Sequence, residues 1–169
     1  MNNKKIIVCC PGGVVSGGPE LLHQFVECLI RNKIDARILY HPFDKVFAVP
    51  HVYANYQIKI AKLSDVSPDS IVVIPETATS MLKELPKAHI CVWWLSVDNF
   101  FGYKGISPLK EWFSSLKRVI RGKRCSLYSM RRFTHLSQSQ YASDFLGRHN
   151  IQSLMVTDYL NRAHLNRLV

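Results

Sequence analysis

A chain of 169 residues, 47% hydrophobic and 11% aromatic, is long enough to bury one domain's core and too rich in aromatics to be disordered. Lysine and arginine total 22 against 12 aspartates and glutamates, and the net charge of +10 favours an anionic partner such as a nucleotide, a nucleic acid or a lipid head group. No apolar run nears the roughly 18–20 residues that would span a bilayer, and Pro11-Gly12-Gly13 interrupts the start too early for a signal peptide, so a cytoplasmic protein is expected.

Ile6 to Cys10 reads as a buried strand. Four glycines and two prolines between positions 11 and 20 then predict a loop of about eight residues. Beyond it, Leu21, Leu22, Phe25, Val26, Leu29 and Ile30 recur at helical spacing. Pro19 suits a first helical turn, and Glu20 suits the positive end of the helix dipole. Strand, glycine-rich loop and helix together aim backbone N–H groups above the sheet, where a phosphate or a sugar hydroxyl is the natural guest. No Gly-x-Gly-x-x-Gly is present, and Pro19-Glu20 stands where a P-loop needs Lys-Ser/Thr. The same glycines are equally explained by a tight turn that lets the helix pack on the sheet.

Ala36 to Tyr40 predicts a second strand, ended by His41-Pro42-Phe43. Residues 42–68 give a mixed signal with Tyr53, Tyr56, Ile58, Ile60 and Leu63, closing on a turn at Ser67-Pro68-Asp69. Ser70 to Pro75 is a buried strand followed directly by Glu76, and 77–85 reads as a short helix stopped by Pro86. Ala88 to Leu95 is a strand whose outgoing loop is Ser96 to Gly102, and Pro108 opens a helix carrying Leu109, Trp112, Phe113, Leu116 and Ile120. Thr134 to Gln138 is a short strand, Tyr141 to Leu146 lies on a helix closed by 147–150, and Ile151 to Val156 is a last strand. The alternation implies an α/β, Rossmann-like open and mostly parallel sheet with helices on both faces. In such sheets ligands bind beyond the carboxyl ends of the strands, which nominates 11–20, 41–44, 75–79, 96–103, 137–141 and 157–161.

Cys9, Cys10, Cys28, Cys91 and Cys125 form no Cys-x-x-Cys pair and no metal-ligand spacing. They read as small core residues of a reducing compartment, with Cys28 on the apolar side of the first helix. The seven histidines are scattered, nothing like an Asp-x-Asp motif occurs, and no metal is expected.

Pro11-Gly12-Gly13 with Ser16-Gly17-Gly18-Pro19-Glu20-Leu21-Leu22-His23-Gln24 resembles the opening of bacterial glycosyltransferases of the GT-B fold, especially those of capsule and lipopolysaccharide O-antigen biosynthesis. Ile74-Pro75-Glu76, the run Trp93 to Phe100, and Gln138 to Leu146 are similar to later blocks of the same proteins, so the resemblance spans nearly the whole chain. It implies the acceptor-side half of a two-domain enzyme, with the sugar nucleotide held as co-substrate mainly by a second domain and with no cofactor. Positions 1–169 are then one Rossmann-like domain. The acidic pair that grips the donor in many relatives has no counterpart here, and no turnover is expected from this domain alone.

Within that reading Glu76, Glu20 and Asp98 are the candidate catalytic carboxylates. Gly12, Gly13, Ser16, Gly17, Gly18, Trp94, Asn99, Ser139 and Tyr141 are the candidate substrate-binding residues, with the Gly17 and Gly18 amides placed to meet a leaving diphosphate. Glu20 equally serves as an ordinary first-turn acid, and the Trp93-Trp94 pair equally as sheet core with Asp98 capping a turn. Lys117, Arg118, Arg121, Lys123 and Arg124, interleaved with aromatics over 100–133, predict contact with the anionic inner face of the cytoplasmic membrane, or simply a solvated basic face. The alternative function is a non-catalytic, membrane-facing binding module of a polysaccharide assembly system. No nucleic-acid module is recognisable.

Overall fold

A computed structural model describes residues 4–102 and 125–157. Six strands, β1 (Ile6–Pro11), β2 (Ala36–His41), β3 (Ile71–Pro75), β4 (His89–Trp94), β5 (Thr134–Ser137) and β6 (Leu154–Met155), form one sheet. Their order is β2-β1-β3-β4-β5-β6, and every neighbouring pair is parallel. The α/β, Rossmann-like class expected from the sequence is the class the chain adopts.

The strands are apolar on both faces because both faces are covered, as a parallel sheet requires. Ile7 and Cys9 point into one core with Val72, Ile74, Val92 and Trp94. Val8 and Cys10 point into the other with Ile38, Tyr40, Val73 and Trp93. Helix α1 (Gly17–Arg31) lays Leu21, Leu22 and Val26 on the second core. The first is closed by α2 (Val97–Phe101), by a 3-10 run over Glu76–Lys83, by α3 (Leu127–Met130) and by α4 (Gln140–Arg148). Phe100 and Phe145 pack against the Trp94 ring there, and Phe101 meets both phenylalanines edge-on. β1 is flanked by β2 and β3, and the chain leaves it first to one side and then returns to the other. That reversal is the topological switch point, and a ligand crevice is expected at the carboxyl ends of β1 and β3.

Several local expectations are corrected. The helix predicted over 77–85 is a 3-10 run that begins one residue earlier, at Glu76. Helix α1 starts inside the glycine pair, at Gly17, so the irregular loop is shorter than eight residues. The outgoing loop 96–102 contains α2, whose N-cap Ser96 accepts the Asn99 N–H at 3.1 Å. The last strand is only Leu154–Met155. Cys28 is exposed rather than on the apolar side of α1. The helix expected from Pro108, the basic residues Lys117, Arg118, Arg121, Lys123 and Arg124, and positions 158–161 lie outside the described residues. No described helix is long and apolar enough to cross a membrane.

Candidate functional site

The glycine-rich loop is held from outside. The Gly12 N–H donates to His41 O at 2.9 Å, extending the β1–β2 ladder by one rung. A side chain at Gly12 would land on the ring of Phe47, so this glycine admits Phe47 rather than a ligand on that side. Gly13 turns the chain at φ +70°, in the left-handed region that glycine occupies without cost. Ser16 stands at the N-cap of α1, yet its side chain caps nothing. Its backbone is gripped instead by Tyr53: the Tyr53 hydroxyl accepts from Ser16 N and donates to Ser16 O, each at 3.0 Å. The first helical bond of α1 runs from Glu20 N to Ser16 O, so the Gly17 and Gly18 amides ahead of it have no acceptor within the helix.

Behind the loop lies an aromatic cluster. His23 is buried, with Nδ1 2.6 Å from Pro19 O and Nε2 2.8 Å from the Tyr40 hydroxyl. A carbonyl only accepts, so Nδ1 carries the proton and Nε2 receives the Tyr40 hydrogen. Burial lowers the pKa of His23, against the Pro19 carbonyl and Glu20, which act to raise it. The same burial pushes the Tyr40 and Tyr53 hydroxyls up. The Tyr53 ring packs 4.4 Å from the His23 ring, and Tyr56 donates to Glu20 Oε1 at 3.2 Å.

A cavity of about 180 Å³ opens at the switch point, between the carboxyl ends of β1, β3 and β4. Ser16, Gly18, Glu76, Thr77 and Asn99 supply its polar wall, and Val14, Leu22 and Leu95 its apolar wall. Glu76 leaves β3 into this space with only 1% of its surface exposed, and its Oε2 accepts the Leu95 N–H at 2.9 Å. That bond ties the end of β3 to the end of β4 and fixes the direction in which the carboxylate faces. The chain matches no family model, no curated protein and no solved structure. What the site can do follows from its own chemistry.

Four residues nominated from the sequence, Ser16, Gly18, Glu76 and Asn99, meet in this cavity. Glu20 does not line it: two residues beyond Gly18 is about 200° around a helix, and its carboxylate meets Tyr56 instead. Trp94 is fully buried, and its indole N–H donates to His135 Nδ1 at 3.0 Å while His135 Nε2 donates to Met130 O. Its ring belongs to the core, where no sugar reaches it. Asp98 and Tyr141 pair with each other at 3.3 Å, outside the cavity, and the Ser139 hydroxyl caps α4 through Ala142 N. Gly12, Gly13 and Gly17 flank the cavity without lining it.

Phe47, Tyr53, Tyr56 and Leu95 escape sequence reasoning, and Thr77 falls within the nominated 75–79 without being singled out. The only signal for the aromatics is their concentration in a stretch without periodicity. Among the described residues no group of three His, Cys, Asp or Glu is arranged to hold a metal. Burial pushes the Cys9 and Cys10 thiols up to about 12, so neither is a nucleophile at neutral pH.

Proposed function

We propose that the chain is the acceptor-side domain of a glycosyltransferase that moves a sugar from a sugar nucleotide to a lipid-linked glycan in bacterial capsule or lipopolysaccharide biosynthesis. The observation that carries this reading is the switch-point cavity, in which hydroxyl and amide groups surround one fixed carboxylate. No lysine or arginine is among its described walls, and Glu76 would repel a phosphate. A hydroxyl ligand suits it better, because each OH donates to Glu76 and accepts from Ser16, Thr77 or Asn99. At about 180 Å³ the space is below the roughly 300–1,000 Å³ of a whole small-molecule site, and takes one sugar ring of an acceptor. In this reading Glu76 receives the proton of the acceptor hydroxyl as its oxygen attacks the donor sugar's anomeric carbon, the bond from that carbon to the nucleoside diphosphate breaks, and the Gly18 amide at the start of α1 would meet the charge left on the departing diphosphate. A lipid-linked acceptor would bring the protein to the inner membrane face.

Amide chemical shifts recorded while the protein is titrated with neutral oligosaccharides, sugar nucleotides and NAD test this reading. Glycans are expected to move Gly17, Gly18, Glu76 and Leu95. Glu76→Gln, which keeps an acceptor for Leu95 N–H but removes the charge, is expected to weaken that binding roughly tenfold. A response to NAD with none to glycans would replace the reading with a redox one, and silence towards all three would end it.

A further inference from the structure

A second cavity, of about 500 Å³, opens at the opposite end of the sheet. It lies between α4 and the amino-terminal ends of β5 and β6, where Thr134, Ser143, Gly147, Gln152, Ser153 and Leu154 wall it. Gly147 is the telling residue. It sits in the last turn of α4, where glycine costs about 0.5–1 kcal/mol relative to alanine. Its φ is not positive, and a Cβ built on it would meet no atom within 4 Å. Neither the backbone nor the packing calls for glycine here. At this position the cavity wall carries no side chain.

The walls define the guest. Ser153 Oγ lies 3.2 Å from Ser137 Oγ and 3.4 Å from Ser143 Oγ, and its single proton serves one of them at a time. Thr134 and Gln152, both exposed, add a hydroxyl and an amide. No charged side chain is among the described walls. The buried His135 ring nitrogens are both engaged, by Trp94 and Met130, and no other ring is among the described walls. Leu154, 66% exposed, offers an apolar surface beside these hydroxyls. Hydroxyls that both give and accept, next to an apolar patch, match a sugar ring, which presents OH groups at its rim and C–H bonds on its face. The volume falls within the roughly 300–1,000 Å³ of small-molecule sites.

We propose that this cavity is a second ligand site, specific for an uncharged carbohydrate, and independent of the function assigned to the switch point. Gly147→Leu tests it well, because leucine puts an apolar side chain on the cavity wall while improving helix propensity. Titration with glucose and N-acetylglucosamine, followed by amide shifts, is expected to give saturable changes at Ser143, Gly147, Gln152 and Ser153. Gly147→Leu should weaken that binding at least about tenfold without lowering the thermal midpoint, and should leave any response at Gly18 and Leu95 unchanged. Ser153→Ala, which removes only the bridging hydroxyl, should weaken it several-fold and decides the question if leucine disturbs the fold. Absence of saturable shifts overturns the proposal, as does binding that survives both substitutions or a preference for glucose 6-phosphate over glucose.

Discussion

Ser16 occupies the position from which a serine usually caps a helix, and its hydroxyl does not do so. What fixes the residue is the Tyr53 hydroxyl, which satisfies both its backbone groups from 37 positions away. Tyr53→Phe keeps the ring against His23 and deletes both bonds. It is expected to cost about 1–2 kcal/mol in denaturant unfolding and to speed hydrogen exchange at Ser16 well beyond the global change. Unchanged protection at Ser16 would mean that the loop holds itself. No local pattern announces this pairing, because a tyrosine's partner 37 residues away leaves no periodicity. Glu76 is legible for the opposite reason: a carboxylate immediately after a continuous apolar strand has to emerge at the strand's carboxyl end. Trp94 is ambiguous in the sequence, since a tryptophan at a strand end reads alike as core or as a sugar platform. The ring nitrogen of His135 decides it, and that residue sits on another strand.

Among the elements, the strands are the most legible. Burial on both faces of a parallel sheet demands continuous apolar runs, and Ile6 to Cys10, Ile71 to Pro75 and Ile90 to Trp94 provide them. The 3-10 run over Glu76–Lys83 reads from the sequence only as a short helix over 77–85 stopped by Pro86. It packs against β3, β4 and α2. Helix α1 is the element on which both the second core and the switch-point cavity depend. Leu22 is 1% exposed, packs on the sheet and reaches the cavity wall. Leu22→Ala is expected to destabilise the fold by about 2–5 kcal/mol in urea or guanidinium unfolding. A loss below about 1 kcal/mol would show that α1 settles back onto the sheet without it.

For the molecule as a whole, acid is expected to weaken the fold. Burial lowers the pKa of His23 and His135, and that of His41 to about 4, where the His41 Nε2 lies buried with no hydrogen-bond partner among the described residues. Each ring is neutral in the fold, so the unfolded chain binds the extra protons. Stability is therefore complete above the ordinary histidine value near pH 6.5 and declines as the pH falls from there towards about 4, by at most about 1.4 kcal/mol per pH unit for each histidine. Thermal midpoints measured from about pH 7.5 down to about pH 4.5 check this, and a midpoint that stays level through that window contradicts the buried, neutral state.

The long reach of Tyr53, Phe47 and Tyr56 also sets an order of assembly. A nascent or proteolysed fragment ending near residue 45 holds β1, α1 and β2, and with them every local instruction for strand, loop and helix. It lacks the ring that fills the space beside Gly12, the hydroxyl that grips Ser16 and the carboxylate that closes the cavity. Its glycine-rich loop would sample many shapes, because the loop-closure cost of bringing in the connecting segment has not yet been met. The cavity is thus complete only late in synthesis, once the chain has passed Asn99, well after the glycine-rich loop has left the ribosome.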